Sequence, residues 1–334
     1  MRFYSVLLVL SLLSPGLALG AGRETPRIYG VLETDAGIRY STEGDSYLFD
    51  FPVYGSLGAR FTTGILESSI AIDYAGEPGL GETYIRGGTS YSYLKIGNYS
   101  ERWGNGYSIS PVSVLNSRDE RYPDNVFHKN RYRPSPMFTM RVGREQIHGE
   151  FVVSGRDGVP SSIYDARVGT RIRGTWEGYD MSLGFVRRAG MPPSLYFLTA
   201  ETQESDYAIW SEIGWVSNAF GDDLGSMVVG YRREVALTSV TAEYALWGAN
   251  SLILIENLLH LNQGLDTGAK LFLHFSDFRD AWSAATNLYF RLGFEKTAYL
   301  EPGIILFFGK PGTYLSPYER DNDNSLYLRL MFSF

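Results

Sequence analysis

Apolar and other side chains alternate one by one in short segments along almost the whole chain, and this period of two limits the possible fold most strongly. A period of two places successive side chains on opposite faces of a β-strand. The last segment is the clearest, because one face carries Leu326, Leu328, Leu330, Phe332 and Phe334. Comparable segments of about ten residues recur from Arg27 onward. The pattern therefore predicts an all-β chain built from many strands with two different faces.

Two architectures fit strands of this kind. In a soluble β-sandwich one face packs on a core, whereas in a membrane barrel one face meets lipid and the other a wet lumen. Tight turns at Thr63-Gly64 and Arg144-Glu145, and longer polar connections at residues 42–52, 100–135, 188–205 and 310–324, favour the barrel. We predict a transmembrane antiparallel up-and-down β-barrel of about 16 strands, with 14 to 18 possible. Residues 195–200 are a candidate extra strand within one of the longer connections.

The N-terminus has the three parts of a secretory signal peptide. Met1 and Arg2 provide a positive start, Val6 to Leu13 are apolar, and small residues around Ala18 suit cleavage after Gly20. The apolar run is shorter than the roughly 20 residues that a membrane-spanning helix needs. We therefore predict a signal peptide at residues 1–20 and a single barrel domain at residues 21–334.

The C-terminus is aromatic and follows a regular strand pattern. Phe334, with Phe332 two residues earlier on the same face, resembles the C-terminal assembly signal of outer-membrane barrels. This resemblance implies that the barrel-assembly machinery and outer-membrane lipid are partners. Together with the signal peptide, it predicts a location in the outer membrane of a diderm bacterium.

If the apolar positions face lipid, the alternate positions line the interior of the barrel. The predicted pore-lining residues are Arg60, Arg86, Lys95, Arg141, Arg167, Arg171, Arg173, Arg232, Arg291, Arg329, Glu67, Asp73 and Glu150. Charges of both signs at this density favour a water-filled lumen, since a dry interior tolerates charges only when they are paired. The alternative is that these charges pair across strands and close a narrow interior.

One strand has a row of arginines on a single face. Arg167, Arg171 and Arg173 share that face, and Arg141 lies two candidate strands earlier. A basic row opposite acidic residues would create a transverse field that orients and selects polar solutes. Ordinary cross-strand ion pairs remain the alternative for the same residues.

The segment at residues 100–135 is too long for a simple connection and is expected to have a role. Gly104 and Gly106 permit a tight backbone path, and Trp103 is apolar enough to anchor the segment. We expect this segment to fold into the pore as a constriction loop. Its candidate residues are Arg102, Trp103, Asp119, Glu120, Arg121 and Asp124.

A family resemblance covers about forty residues, from the predicted hairpin that begins at Glu82 to Asp119 in the loop. Trp103 to Gly106, Pro111 and Asn116 to Asp119 form a W-G-x-G…P…N-x-x-D segment. This segment resembles porin-like outer-membrane barrels and is similar, more distantly, to barrels of the alginate-export and capsule-assembly kind. Those families often have Gly-Arg-Gln before the motif, whereas this chain has Gly97-Asn98-Tyr99. The resemblance implies an outer-membrane channel or transport barrel and supplies no catalytic residue.

Composition and motifs argue against several other classes. The net charge of −7 disfavours nucleic-acid binding, and the absence of cysteine excludes thiol chemistry. None of the four histidines lies in a recognisable nucleophile or metal motif. We therefore predict no enzyme activity, no metal and no cofactor.

The sequence as a whole predicts a porin-like channel for passive diffusion of small polar or charged solutes. One alternative is a non-conducting structural or surface-interaction barrel that serves polymer export or adhesion, and another is an outer-membrane barrel enzyme. A homo-oligomer is compatible with a porin of this size, by analogy alone.

Overall fold

A computed structural model describes residues 27–41, 46–50, 53–75, 77–106, 110, 115, 133–155, 166–187, 194–217, 224–262, 264–276, 281–294, 297–309 and 325–333. These residues form twenty strand segments: β1 Arg27–Ser41, β2 Ser46–Asp50, β3 Val53–Thr63, β4 Leu66–Ala75, β5 Glu77–Leu80, β6 Thr83–Gly88, β7 Tyr93–Tyr99, β8 Ser135–Gly143, β9 Ile147–Ser154, β10 Arg167–Trp176, β11 Tyr179–Arg187, β12 Ser194–Gln203, β13 Tyr207–Ser217, β14 Leu224–Val235, β15 Thr238–Trp247, β16 Asn250–Asn262, β17 Leu265–Ser276, β18 Ala281–Phe294, β19 Ala298–Gly309 and β20 Ser325–Ser333. Within this part of the chain, no helix is long and apolar enough to cross a membrane.

Two of the wall strands are each made of two segments. β2 and β3 both pair with β1 in one continuous register, and β5 and β6 both pair with β4. Between β5 and β6 the register shifts at Gly81, whose amide hydrogen-bonds to the carbonyl of Ala71 at 3.0 Å. The wall therefore contains 18 antiparallel strands. The predicted all-β barrel is confirmed, with a strand number at the upper end of the predicted range.

The sheet closes on itself through its first and last strands. β1 pairs with β20 from Val31↔Ser333 to Arg39↔Ser325. Because of this pairing, neither strand presents a free edge along the shared length. Closure is what a membrane requires, since hydrocarbon offers no hydrogen-bond partner to an unpaired backbone amide or carbonyl.

The outer face of the wall is apolar and exposed. Ile72, Leu183 and Phe290 are each more than half exposed and point away from the lumen. Trp176 and Tyr179, at the turn between β10 and β11, are also exposed on this face. Aromatic residues near strand ends, flanking an aliphatic band, are typical of a barrel surface that meets lipid and its interface.

The two ends of the barrel differ in the length of their connections. At one end the strands are joined by turns such as Glu177-Gly178, where both residues have positive φ values of 49° and 83°, as a two-residue hairpin of this hand requires. The predicted turns at Thr63-Gly64 and Arg144-Glu145 lie at this end, which we call the short-turn end, and β1 begins and β20 ends there. The longest connection, residues 100–134, joins β7 and β8 at the opposite end.

The structure corrects two predicted connections. Residues 42–52 and 188–205 contain strands β2 and β12, respectively. In β12 the inward and outward positions are both largely apolar, as in Leu195, Tyr196, Phe197 and Leu198. This weakens the two-face signal by which strands are recognised in a sequence.

The outward position of Ile72 gives a test of the membrane span. We expect Ile72→Arg to reduce the free energy of unfolding in phospholipid vesicles by about 2–4 kcal/mol, because it buries a charge in hydrocarbon. The matched control is Ile65→Arg in the turn between β3 and β4, where the exposed isoleucine lies outside the wall and the cost should be below about 1 kcal/mol. Denaturant titration of both variants measures the difference. Equal costs would contradict the assigned span.

Candidate pore constriction

The strand register places the predicted pore-lining residues on the inner face of the wall. Arg141, Glu150 and Arg171 are direct neighbours on β8, β9 and β10, and Arg86 and Lys95 are neighbours on β6 and β7. The register places the following on the same face: Arg60, Glu67, Asp73, Arg167, Arg173, Arg232, Arg291 and Arg329.

The most exposed of these charges lie toward the short-turn end. The side chains of Arg60, Arg173 and Arg232 are 46%, 37% and 44% exposed. We call this region the short-turn vestibule, and it consists of Arg60, Glu67, Arg86, Arg173, Asp180 and Arg232. Because its basic groups remain in contact with water, they can interact with a solute.

Carboxylates in the vestibule hold its arginines in place. Glu67 lies 3.7 Å from Arg60 and 3.4 Å from Arg86, and it accepts a hydrogen bond of 2.6 Å from the Tyr84 hydroxyl. Arg173 pairs with Asp180 at 2.8 Å. Partly exposed pairs of this kind contribute little to stability, so their main effect is to orient charge in the lumen.

The middle of the arginine row is buried. The Glu150 carboxylate is fully buried between Arg141 and Arg171, and the Arg141 Nε donates to it at 2.5 Å. The Arg171 side chain is only 5% exposed. A buried carboxylate is tolerated when it is paired and hydrogen-bonded. Arg171 therefore lies on the predicted face as part of a packed ion-pair cluster.

Lys95 is held by aromatic rings. Its ammonium lies 4.0 Å from the centroid of the Tyr84 ring and 3.9 Å from that of the Tyr99 ring. Within the described ranges, no salt bridge joins Lys95 to a carboxylate. Two ring faces at this distance stabilise a cation, and the nearby carboxylates of Glu101 and Glu82 also act on its charge.

The segment after β7 turns into the lumen. Trp103 and Leu115 are each 1% exposed, and they pack with inward side chains such as Tyr99, Val152 and Phe197. The ring centroids of Trp103 and Phe197 are 5.7 Å apart. Contact with side chains from the inner wall shows that this part of the connection lies inside the barrel.

A glycine on the inner face of the wall leaves space for the indole of Trp103. Gly169 on β10 faces this indole, and a Cβ atom added there would lie 2.7 Å from the ring. The Arg171 guanidinium lies 5.0 Å from the ring centroid, and its Nη1 donates to the Trp103 carbonyl at 3.4 Å. The buried arginine thus has two roles, because it balances Glu150 and packs against the loop.

Glu212 on β13 binds the backbone of the same loop. Its carboxylate accepts hydrogen bonds from the amides of Asn105 and Gly106, and the Ser110 hydroxyl donates to it at 2.7 Å. A Cβ at Gly104 would collide with Ser110 and this carboxylate, so the close approach requires glycine. Glu212 is 0% exposed, and these donors replace the water that it has lost.

A second contact fixes the far part of the loop. The Ser154 hydroxyl donates to the Leu115 carbonyl at 2.9 Å. Near the start of the loop, the Ser100 hydroxyl donates to Glu82 at 2.8 Å. With Glu212, these contacts attach the loop to β9, β13 and the segment before β6.

Part of the inner face between β13 and β19 is apolar. Its inner face carries Leu252 and Leu254 on β16, Phe272 on β17 and Ile305 on β19, all less than 9% exposed. Here both faces of β16 are apolar, so alternation alone could not identify the inner one. An apolar cluster therefore packs on this part of the inner face, beside inward polar residues such as Glu243 and Asn287.

A second set of paired charges, most of them with little exposure, lies on this side, nearer the short-turn end. Glu301 is paired with Arg291 at 2.7 Å and with Arg329 at 3.3 Å. Lys270 and Glu256 pair at 2.9 Å. These pairs balance charge inside the wall, and the predicted pore-lining residues Arg291 and Arg329 belong to them.

Several predicted residues lie outside the described ranges: Asp119, Glu120, Arg121 and Asp124 of the loop, and the terminal Phe334. Arg102 and Phe332 are described. Arg102 is exposed and donates to the Gly106 carbonyl, and Phe332 is 43% exposed on the outer face. Strand alternation places Glu212 on the inner face, but sequence reasoning missed its role as an anchor of the loop, because its partners are more than one hundred positions away.

The described histidines do not assemble a catalytic or metal site. His260 contacts Asp266 at 2.8 Å near the short-turn end, while His148 and His274 are buried separately on β9 and β17. Across the described ranges, no group of three or more acidic or histidine side chains could hold a metal ion.

Comparisons with solved structures find the same architecture. The chain is similar to Acinetobacter baumannii OccAB4, with a TM-score of 0.63 and 10% identity over 93% of this chain and 98% of that one. For Pseudomonas aeruginosa OprD the TM-score is 0.62 and the identity 11%, over 92% and 95% of the two chains. For Pseudomonas aeruginosa OpdK, whose structure contains vanillate, the values are 0.63 and 8%, over 92% and 98%.

These neighbours are outer-membrane porins of the Occ/OprD group. At this level of identity the similarity establishes the fold, and the chain has a porin-like β-barrel fold. No protein-family model and no curated protein sequence matches the chain.

Glu212 provides a test of loop anchoring. The chain lacks cysteine, so Asn105→Cys supplies a single labelling site and preserves the backbone amide. Adding Glu212→Ala should accelerate its reaction with a maleimide at least roughly tenfold, as expected for the loss of about 1.4 kcal/mol of anchoring. Glu256→Ala, which removes another buried inward glutamate, is the control. Equal labelling in both double variants would exclude the anchor.

Proposed function

We propose that this chain forms an outer-membrane channel for passive diffusion of small polar or charged solutes. The observation that carries the proposal is the loop from Trp103 to Gly106, which lies inside a closed barrel and is anchored to its charged inner wall. A loop held in this way narrows the lumen. The fold shared with Occ/OprD porins supports the same conclusion.

The charge distribution suggests how solutes are selected. A solute at the short-turn end would meet Arg60, Arg173 and Arg232, whose charges are exposed. Their fields act at short range and concentrate anions in a narrow, low-dielectric passage. Lys95 lies beyond them, next to the loop. No cofactor or energy source is needed for diffusion along this path.

Location and partners belong to the same proposal. The outward apolar band fits the outer membrane of a diderm bacterium, with the short-turn end in the periplasm. The aromatic C-terminus fits recognition by the barrel-assembly machinery, and residues 1–20 fit a signal peptide that is removed during export. A homo-oligomer and a relationship to alginate-export or capsule-assembly barrels are further hypotheses.

One observation favours a second candidate, a non-conducting structural or surface-interaction barrel. The packed apolar face formed by Leu252, Leu254 and Phe272 excludes water from part of the lumen. If such packing extended across the whole lumen, solutes could not pass.

Single-channel recording in planar bilayers separates the two candidates. The proposal predicts discrete conductance steps after insertion of the purified barrel. Folded, inserted protein without conductance would exclude the channel and favour the structural barrel. Lipase and protease assays of the same preparation test the remaining alternative, a barrel enzyme, for which we expect no activity.

The exposed vestibule arginines should control ion selectivity. We expect Arg60→Gln with Arg173→Gln to raise the cation-to-anion permeability ratio at least about twofold, because positive charge is lost and Asp180 loses its partner. Reversal potentials in a KCl gradient measure this ratio. Arg144→Gln, in the turn between β8 and β9, removes an exposed arginine outside the wall and should leave the ratio unchanged. An unchanged ratio in the double variant would remove the vestibule from the conduction path.

Glu101, at the start of the loop two residues after β7, should make ion selectivity depend on pH. Removal from water, together with the nearby Glu150 carboxylate, raises the pKa of the Glu101 carboxyl. As the pH falls from about 7 to about 5, Glu101 should therefore lose its negative charge before exposed carboxylates do, and anion preference should increase. Glu101→Gln should show the anion-shifted reversal potential already at neutral pH, whereas Glu145→Gln should behave as wild type. Identical pH responses in wild type and Glu101→Gln would contradict this assignment.

A further inference from the structure

The outer face of the barrel has a groove that the channel function does not use. It crosses strands β8 to β12 near the short-turn end and has a volume of about 540 Å³. Exposed outward side chains such as Val142, Ile172 and Leu183 line it.

The groove exists because small residues interrupt two rows of large ones. In the row nearer the short-turn end, Gly149 lies between Val142 and Ile172, and Leu183 follows on β11. The atom nearest to a Cβ added at Gly149 would be the Val142 carbonyl oxygen at 4.0 Å, so the space above this glycine is open.

The second row lies two residues further from the short-turn end along each strand. Here Thr170 lies between Phe151 and Phe185, with Met140 on β8 and Tyr196 on β12 at the two sides. The ring centroids of Phe185 and Tyr196 are 6.3 Å apart. Because the small residues are on neighbouring strands in successive rows, the depression runs diagonally as an elongated slot.

The geometry points to a binding site for one acyl chain of a phospholipid in the periplasmic leaflet. The outward side chains that line the slot carry no charge, which suits a hydrocarbon chain. The nearby turn contains exposed Arg144, and a cation at this level can attract a lipid phosphate. Exposed Trp176 and Tyr179 mark the same membrane interface.

A second copy of the barrel fits this surface less well. A stable protein interface buries about 1,200–2,000 Å² in total. A slot across five strands has room for only a narrow ridge of a partner, which would bury much less area. The outer wall of another barrel is convex and broad. The inference requires that the barrel spans a phospholipid leaflet, and it does not depend on whether the lumen conducts.

Native mass spectrometry of the detergent-solubilised barrel tests the site, with 1-palmitoyl-2-oleoyl-phosphatidylglycerol as the added lipid. Wild type should retain one phospholipid at collision energies that remove the others, and Gly149→Leu, which fills the slot, should lose it. Gly174→Leu adds the same side chain to another outward glycine, on β10 outside the slot, and should retain the lipid. Heat-modifiable gel mobility shows whether each variant folds. If Gly149→Leu fails to fold, Thr170→Leu replaces it as the slot-filling variant, because it fills the slot from the second row.

Equal retention by wild type and both slot-filling variants would overturn the inference. So would equal loss in Gly149→Leu and Gly174→Leu, because the effect would then be unrelated to the slot. An oligomer that dissociates in Gly149→Leu would assign the groove to a second copy. Conductance of the same variants is measured separately, so failure of the lipid site and failure of the channel proposal are distinguishable.

Discussion

Closure of the sheet through β1 and β20 is the constraint on which the rest of this structure depends. An unpaired backbone group in hydrocarbon costs several kcal/mol, so a membrane-spanning sheet must pair its first strand with its last. Closure also separates the two faces of every strand into an outside and an inside. The outer positions can then be apolar throughout, while the interior must be filled by side chains, water or an inward loop.

The interior of the barrel is filled in different ways at different depths along the barrel axis. Near the short-turn end, Arg60 and Arg173 remain partly in water, so their charges can act on a solute. In the middle, Arg171 is buried and its charge is balanced by Glu150. Residues of one type on one strand face therefore have different roles, and the loop that covers Arg171 produces the difference.

Sequence alternation predicted the fold well where the two faces differ in polarity and poorly where they do not. β10, with Arg167, Arg171 and Arg173 on one side, was assigned to the correct face. In β12 and β16 both faces are apolar, so β12 was assigned only as a candidate extra strand and the apolar lining at Leu252 and Leu254 was not anticipated. The candidate site was predicted in part, because the anchoring role of Trp103 followed from its size. The contact between Trp103 and Gly169 and the hydrogen bond from Asn105 to Glu212 could not be predicted, since they join residues distant in the chain.

The sequence by itself determined the period of two, the apolar outer face and the candidate inner charges, because these depend on side-chain chemistry repeated along each strand. It also identified residues 100–135 as a segment with a role, since a connection of that length is rarely bare. Only the tertiary structure decided which inner charges meet water and which are buried. That distinction arises when strands far apart in the chain close around the loop, since burial depends on neighbours that no local pattern encodes.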